Sequence, residues 1–188
     1  LDQSEEASRS YTVADGILVT SNADSGEGTL RQAMADADPG DEIRFASDMT
    51  IVLEGDRRGV EVDKDITVNG VGHTVIIEGS GAQRHFTHMP GGPYDLTIAN
   101  LTLRNGEPRM SNLLPGGSIY IATGSSAAIE NVTFEDNLGT NGGAIFVEQI
   151  PSQSFPKAVL DVRDSTFHNN EAGGTDTVSG ATRAGGTI

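Results

Sequence analysis

Leu96-Thr97-Ile98-Ala99-Asn100-Leu101-Thr102-Leu103 returns as Ala128-Ile129-Glu130-Asn131-Val132-Thr133-Phe134, and again as Leu160-Asp161-Val162-Arg163-Asp164-Ser165-Thr166-Phe167. A second phrase, Gly-Gly-x-Ile, occupies 116–119, 142–145 and 185–188. Units of this length cannot bury their own apolar side and fold by stacking on one another. Ile98, Ile129 and Val162 are 31 and 33 residues apart, and Leu103, Phe134 and Phe167 repeat the same 31 and 33. Ile66 and Val68 each lie 30 residues before Leu96 and Ile98. Equal offsets at separate columns predict strands stacked in register, coil upon coil.

Side chains alternate along a strand, so inward columns at Ile98 and Leu103 put Thr102, Thr133 and Thr166 outward as a ladder. Arg104, Glu135 and His168 come next on the outer side. With coils about 4.8 Å apart, aligned like charges would repel, whereas this order sets a carboxylate between a guanidinium and an imidazole. Glu130 and Arg163 align in the same complementary way. Asn100, Asn131 and Asp164 mark the corner between two inward columns, because Asn tolerates left-handed backbone and stacked corner amides can bond from coil to coil. The Gly-Gly phrase predicts a third side with Ile119, Ile145 and Ile188 inward, followed by Ile121 and Val147. Tyr120 and Phe146 then face outward, one above the other. That pair reads first as packing between coils and second as a platform for a sugar ring or a neighbouring molecule.

Composition agrees with many short strands. Gly is abundant at 24 of 188 residues, aromatics are sparse, and Asn, Asp, Ser and Thr crowd the gaps between short apolar runs. The expected fold class is all-β, a parallel β-helix, with an extended N-terminal arm at 1–14 and a single solenoid domain over 15–188. A formal net charge of −15 repels nucleic acid and anionic lipid, which excludes nucleic-acid partners from the reading. With no Cys there is no disulfide, thiolate nucleophile or Cys-based zinc site. No run approaches the roughly 18 apolar residues of a bilayer span, so membrane insertion is not expected. An opening at Leu1 is compatible with a removed signal peptide.

Leu30, Ala33, Met34 and Ala37 form one stripe at helical spacing, which predicts a short helix near 29–38. Thr29 is its expected cap and Pro39-Gly40 its stop, and the stripe is expected to cover the apolar end of the first coil. YTVADGILVT at 11–20 reads as strand, turn, strand, and further strands are expected at 42–45, 50–53, 59–62, 66–68 and 74–77.

The segment VTSNADSGEGTLRQAMADADPGDEIRF at 19–45 resembles the N-terminal cap and first coil of bacterial exported right-handed parallel β-helix proteins of the pectate-lyase-like architecture. FEDN and GGAIF (134–137, 142–146), with FHNN and GGTI (167–170, 185–188), resemble the FxxN and GGAI repeats of polymorphic outer-membrane adhesins. The resemblance implies export, surface display and contact with other molecules. The same coil also carries polysaccharide enzymes, so fold alone does not choose among these roles.

Pectate lyases on this fold use clustered carboxylates for calcium with a basic residue, which makes Asp63 with Asp65, or Asp161 and Asp164 with Arg163, the carboxylate sets to weigh. Neither carries the catalytic signature of that family, and Asp63-Lys64-Asp65 reads as a turn. His85-Phe86-Thr87-His88 has metal-ligand spacing but no third ligand, and its Pro/Gly-rich surroundings read as a surface loop. Uneven insertions at 106–115, 149–156 and 171–183 are where recognition is expected.

The reading is therefore a non-catalytic, secreted or surface-displayed structural or adhesive β-helix without catalytic, cofactor or metal site, calcium being left to the family analogy. Its partners would be further copies of itself or a cell-surface or matrix component. The candidate subunit contacts are Tyr11, Val13, Leu30, Met34, Thr187 and Ile188, with the last coil expected to stack head to tail into a filament. Tyr120 and Phe146 are the candidate surface-contact aromatics. The alternative is a polysaccharide lyase, hydrolase or carbohydrate-binding module on the same fold.

Overall fold

A computed structural model describes residues 16–55, 58–81, 83–90, 92–110, 112–113, 115–150 and 156–173. The chain winds as a parallel β-solenoid with one short helix. It begins with β1 (Ile17–Val19) and α1 (Leu30–Asp36). The next coils are β2 (Glu42–Phe45), β3 (Met49–Leu53) and β4 (Val60–Val62), then β5 (Ile66–Asn69), β6 (Val75–Gly79) and β7 (Phe86–His88). β8 (Asp95–Arg104), a small hairpin of β9 (Arg109–Met110) and β10 (Asn112–Leu113), and β11 (Ile119–Ile121) make the following coil. Beyond it lie β12 (Ser126–Glu135), β13 (Leu138–Gly139) and β14 (Ile145–Val147), then β15 (Val159–Arg163), β16 (Thr166–His168) and β17 (Glu171–Ala172).

Three faces result. The first stacks β1, β2, β5, the start of β8, the start of β12 and β15. The second stacks β3, β6, the ends of β8 and β12, and β16, and the third stacks β4, β7, β11 and β14. All the columns expected within the described residues are present. Ile43, Val68, Ile98, Ile129 and Val162 share one, and Ile51, Ile77, Leu103, Phe134 and Phe167 share another. Ile98, Leu103 and Phe134 are fully buried, and the Phe134 and Phe167 rings stack at 4.7 Å and 7°. Thr102, Thr133 and Thr166 run outward in register.

In the last three described coils the corner between the first two faces is left-handed, with φ of 57° at Asn100, 52° at Asn131 and 49° at Asp164. Its amides form a directional ladder: Asn131 Nδ2 donates to Asn100 Oδ1 at 2.9 Å, Asn100 Nδ2 to Asn69 Oδ1 at 2.8 Å, and Asn69 Nδ2 to Glu42 Oε1 at 2.7 Å. Asn suits the place because it donates and accepts at once. Asp164 has no side-chain N–H to pass on to Asn131. A second corner, at Asn105, Asp136 and Asn169, bends the same way with φ of 56°, 53° and 51°.

The Gly-Gly phrase divides its work between its two residues. Gly116 and Gly142 adopt φ of 72° and 62°, while a Cβ on Gly117 would lie 2.1 Å from the Gly143 carbonyl oxygen of the next coil. The first glycine permits the turn and the second permits the close approach of coils.

The helix caps the solenoid as expected, but ends at Asp36 because Ala37 is already extended with ψ 140°. Thr29 Oγ1 accepts from Gln32 N at 3.3 Å, and Leu30, Ala33 and Met34 are buried in the common core. Lys64 Nζ donates to the carbonyls of Met34 at 3.1 Å and Ala37 at 3.0 Å, satisfying acceptors left over at the helix end. Arg31 reaches the other way, pairing with Asp24 at 2.9 Å and donating to the Gly59 carbonyl. Because Val60 N bonds His85 O just before β7, the neighbouring Gly59 carbonyl points to the opposite edge of β4. The helix therefore covers an edge that would otherwise invite another strand.

One sequence expectation is corrected and another is borne out with a different ion pair. His85 to His88 form no surface loop: the segment is buried, and Phe86–His88 is the second strand of the third face. Arg163 does align with Glu130, but its guanidinium pairs along its own strand with Asp161 at 2.6 Å.

The ladder gives a paired expectation. Asp164→Asn supplies the missing donor in a backbone conformation Asn already favours, and should raise unfolding free energy by about 1 kcal/mol. Asn100→Ala loses two ladder bonds and places Ala in a left-handed bend, and should lower it by roughly 2 to 4 kcal/mol. Urea denaturation of the two variants beside the parent measures both changes.

Candidate functional site

Of the expected contact residues, the structure brings Tyr120 and Phe146 together on the outer side of the third face. They are in register on β11 and β14, with ring centroids 5.9 Å apart and planes at 22°. The other side of Tyr120 was not foreseen. Arg84, just before β7 in the preceding coil, lies over the tyrosine ring with Cζ 5.1 Å from the centroid. Its guanidinium is held by the carbonyls of Pro115 at 2.6 Å and Gly116 at 3.3 Å. Tyr120 is thus flanked by an arginine from the coil before and a phenylalanine from the coil after, an arrangement that favours packing over the gripping of a ring by Tyr120. Burial first, and then the Glu148 carboxylate beside it, raise the Tyr120 phenol well above its ordinary value. Tyr120 and Phe146 are both half-buried, and Phe146 is the aromatic of the pair that carries no arginine on its ring among the described residues.

Leu30 and Met34 do not serve as sequence alone suggested for a subunit contact. They are 1 % and 4 % exposed because their apolar surface is covered by the chain's own first coil. Tyr11, Val13, Thr187 and Ile188 lie outside the described residues. An open cleft of about 490 Å³ lies between α1 and β4, yet both its cations, Arg31 and Lys64, are engaged with backbone carbonyls.

The carboxylates weighed for catalysis are spread along the coils. Asp65 Oδ1 accepts from Asp95 N at 2.9 Å, Asp63 lies 3.8 Å from Lys64 Nζ, Asp161 holds Arg163, and Asp164 is a corner. The outward charge column is longer than the repeat showed. Glu78, Arg104, Glu135 and His168 are in register, and Arg104 pairs with Glu78 at 2.7 Å. Hydrogen bonding from Arg104 first, and Asn105 besides, holds the Glu78 carboxyl below its usual range against the opposing effect of burial. His168 Nδ1 lies 3.8 Å from Glu135.

Inside the second corner runs a polar seam. Asn137 Oδ1 accepts from Gly106 N at 2.8 Å while its Nδ2 donates to Leu103 O at 3.0 Å. One coil on, Asn170 Oδ1 accepts from Asn137 N at 3.1 Å and its Nδ2 donates to Phe134 O at 2.9 Å. The FxxN repeat is this stitch, in which each Asn binds back to the coil before it. His85 joins the seam, with Nδ1 2.8 Å from Ser118 Oγ and Nε2 3.1 Å from the Arg104 carbonyl. A carbonyl only accepts, so Nε2 carries the proton and Nδ1 receives the serine hydroxyl. His88, inward beside Val62 and Ile121, has no hydrogen-bond partner on either ring nitrogen among the described residues, and its burial lowers its pKa.

No protein-family model matches the chain, and no curated protein matches it. Among the described residues, no group of three or more His, Cys, Asp or Glu is placed to hold a metal ion, and no helix is long and apolar enough to cross a membrane.

The buried His85 makes stability depend on pH. Burial, outweighing its bond to Arg104, lowers its pKa to about 4, so between that value and the unfolded value near 6.5 the unfolded chain binds the extra proton. Stability from this group is complete above the unfolded pKa and falls as pH drops through the window, by roughly 3 kcal/mol. Denaturation measured across that window should show a steeper loss for the parent than for His85→Gln.

Tyr120→Phe should keep the stack and change stability by less than about 1 kcal/mol, whereas Tyr120→Ala should cost about 3 kcal/mol, since it loses the ring's burial and both its flanking contacts. Thermal unfolding of the two variants checks this.

Proposed function

We propose that this chain is a non-catalytic extracellular structural or adhesive protein that assembles by stacking with further copies of itself or with a cell-surface or matrix component. The observation that carries the reading is how its polar side chains are used. Glu42, Asn69, Asn100 and Asn131 bond in a line, Glu78 holds Arg104, and Asn137 and Asn170 stitch coil to coil. Catalytic sites need polar groups that converge on a substrate, and these groups converge on the neighbouring coil instead.

Resemblance to exported β-helix proteins, and to polymorphic adhesins with FxxN and GGAI repeats, supports display outside the cell. Leu160, Val162 and Phe167 of the last described coil are half-buried and apolar, a surface on which a further coil, of this chain or of another copy, can stack. A head-to-tail contact of that type, repeated, builds a filament.

Sedimentation velocity and electron microscopy of the purified protein should find species that lengthen with concentration. A persistent monomer that cleaves acidic polysaccharide would replace this reading with the lyase or hydrolase alternative.

A further inference from the structure

The chain contains three Asn-Gly pairs, at 69–70, 105–106 and 141–142, and the fold treats them differently. Asn-Gly is the dipeptide in which a backbone nitrogen most readily attacks the preceding side-chain amide, because glycine adds no side chain to obstruct the approach. The attack requires a side chain free to rotate and a glycine N–H not held elsewhere.

Asn69 is locked on both counts. Its amide donates to Glu42 at 2.7 Å and accepts from Asn100 at 2.8 Å, and Gly70 N donates to Ala99 O at 2.9 Å. Asn105 is locked too: its Nδ2 donates to Glu78 at 3.1 Å, and Gly106 N donates to Asn137 Oδ1 at 2.8 Å. Asn141 differs. Neither its side chain nor the Gly142 N–H has a hydrogen-bond partner among the described residues, and the pair lies in an irregular bend outside any strand.

We propose that Asn141 is a site of spontaneous deamidation. The Gly142 nitrogen bonds to Asn141 Cγ, the bond from Cγ to the side-chain nitrogen breaks, and ammonia leaves with the glycine proton. Water then opens the cyclic imide at either carbonyl, giving aspartate or isoaspartate. The position gives the reaction a structural consequence. The Asn141 carbonyl accepts from Gly116 N at 2.8 Å, and the Gly143 carbonyl accepts from Gly117 N at 2.9 Å. Isoaspartate frees the residue 141 α-carbonyl from the main chain as a carboxylate and reroutes the backbone through Cβ and Cγ, one atom longer, and either product adds a negative charge to an already acidic chain. The third face therefore carries a built-in ageing point where the repeated Gly-Gly turn joins two coils.

The test is timed incubation of the intact protein in warm, mildly alkaline buffer, with peptide mapping by mass spectrometry and enzymatic methylation to detect isoaspartate. Asn141 should convert about tenfold or more faster than Asn69 and Asn105, the factor that two engaged hydrogen bonds supply in holding those sites back. In urea the three should react at similar rates. Asn141→Gln should abolish the fast phase while leaving the slow ones. Conversion of Asn69 or Asn105 as fast as Asn141 in the folded protein, or an Asn141 that stays an amide while the urea control reacts, would overturn the proposal.

Discussion

The rest of this solenoid depends on a left-handed bend repeated at the same place in successive coils. Asn100, Asn131 and Asp164 take φ between 49° and 57°, and Asn105, Asp136 and Asn169 repeat the device at the next corner. Turning where the previous coil turned keeps the faces flat and the strands in register. Inward residues then meet inward residues, and apolar columns form without any coil possessing a core of its own. Asn is suited twice over, by its tolerance of the bend and by an amide that accepts from one neighbour and donates to the other. At Asn100 and Asn131 the ladder draws on both properties, and it continues through the Asn69 amide to Glu42.

Such a stack leaves its ends and its polar interior to be managed. At the N-terminal end, α1 seals the core with Leu30, Ala33 and Met34, while Arg31 and Lys64 exchange contacts between helix and coil, each ending on carbonyls that lacked donors. Inside the second corner, Asn137, Asn170, Ser118 and His85 form a seam that bonds backbone groups of adjacent coils. Buried polar groups are tolerable because they are satisfied. His88 is the exception among the described residues, a histidine at a position where the stacked strands carry valine or isoleucine.

The columns, the corner asparagines, the capping helix and the stacked pair Tyr120 and Phe146 were legible in the sequence because each is written as a repeat or a period. What misled was the single exception to a pattern. His85-Phe86-Thr87-His88 reads as a loop since two histidines and a following Pro/Gly run hide the inward alternation of Phe86 and His88, and only register with Val60 and Val62 reveals it. Arg84 gave no signal, because nothing in its neighbourhood repeats. Leu30 and Met34 carried an apolar stripe that served equally for a cap or a subunit contact, and packing against the first coil decided for the cap.

By itself, then, the sequence determined which residues of the repeated phrases face inward, where those coils turn at Asn100, Asn131 and Asp164, and that neighbouring coils must supply the core, since alternation along strands and left-handed tolerance are local properties of residue type. Tertiary structure decided which partner each outward charge took. Arg104 lies between Glu78 and Glu135 in its column and pairs with Glu78, where Asn105 binds the same carboxylate, while Arg163 passes over Glu130 for Asp161. Register brings several acceptors within reach of a long side chain, and the choice among them rests on the surrounding hydrogen bonds, which exist only once the coils have stacked.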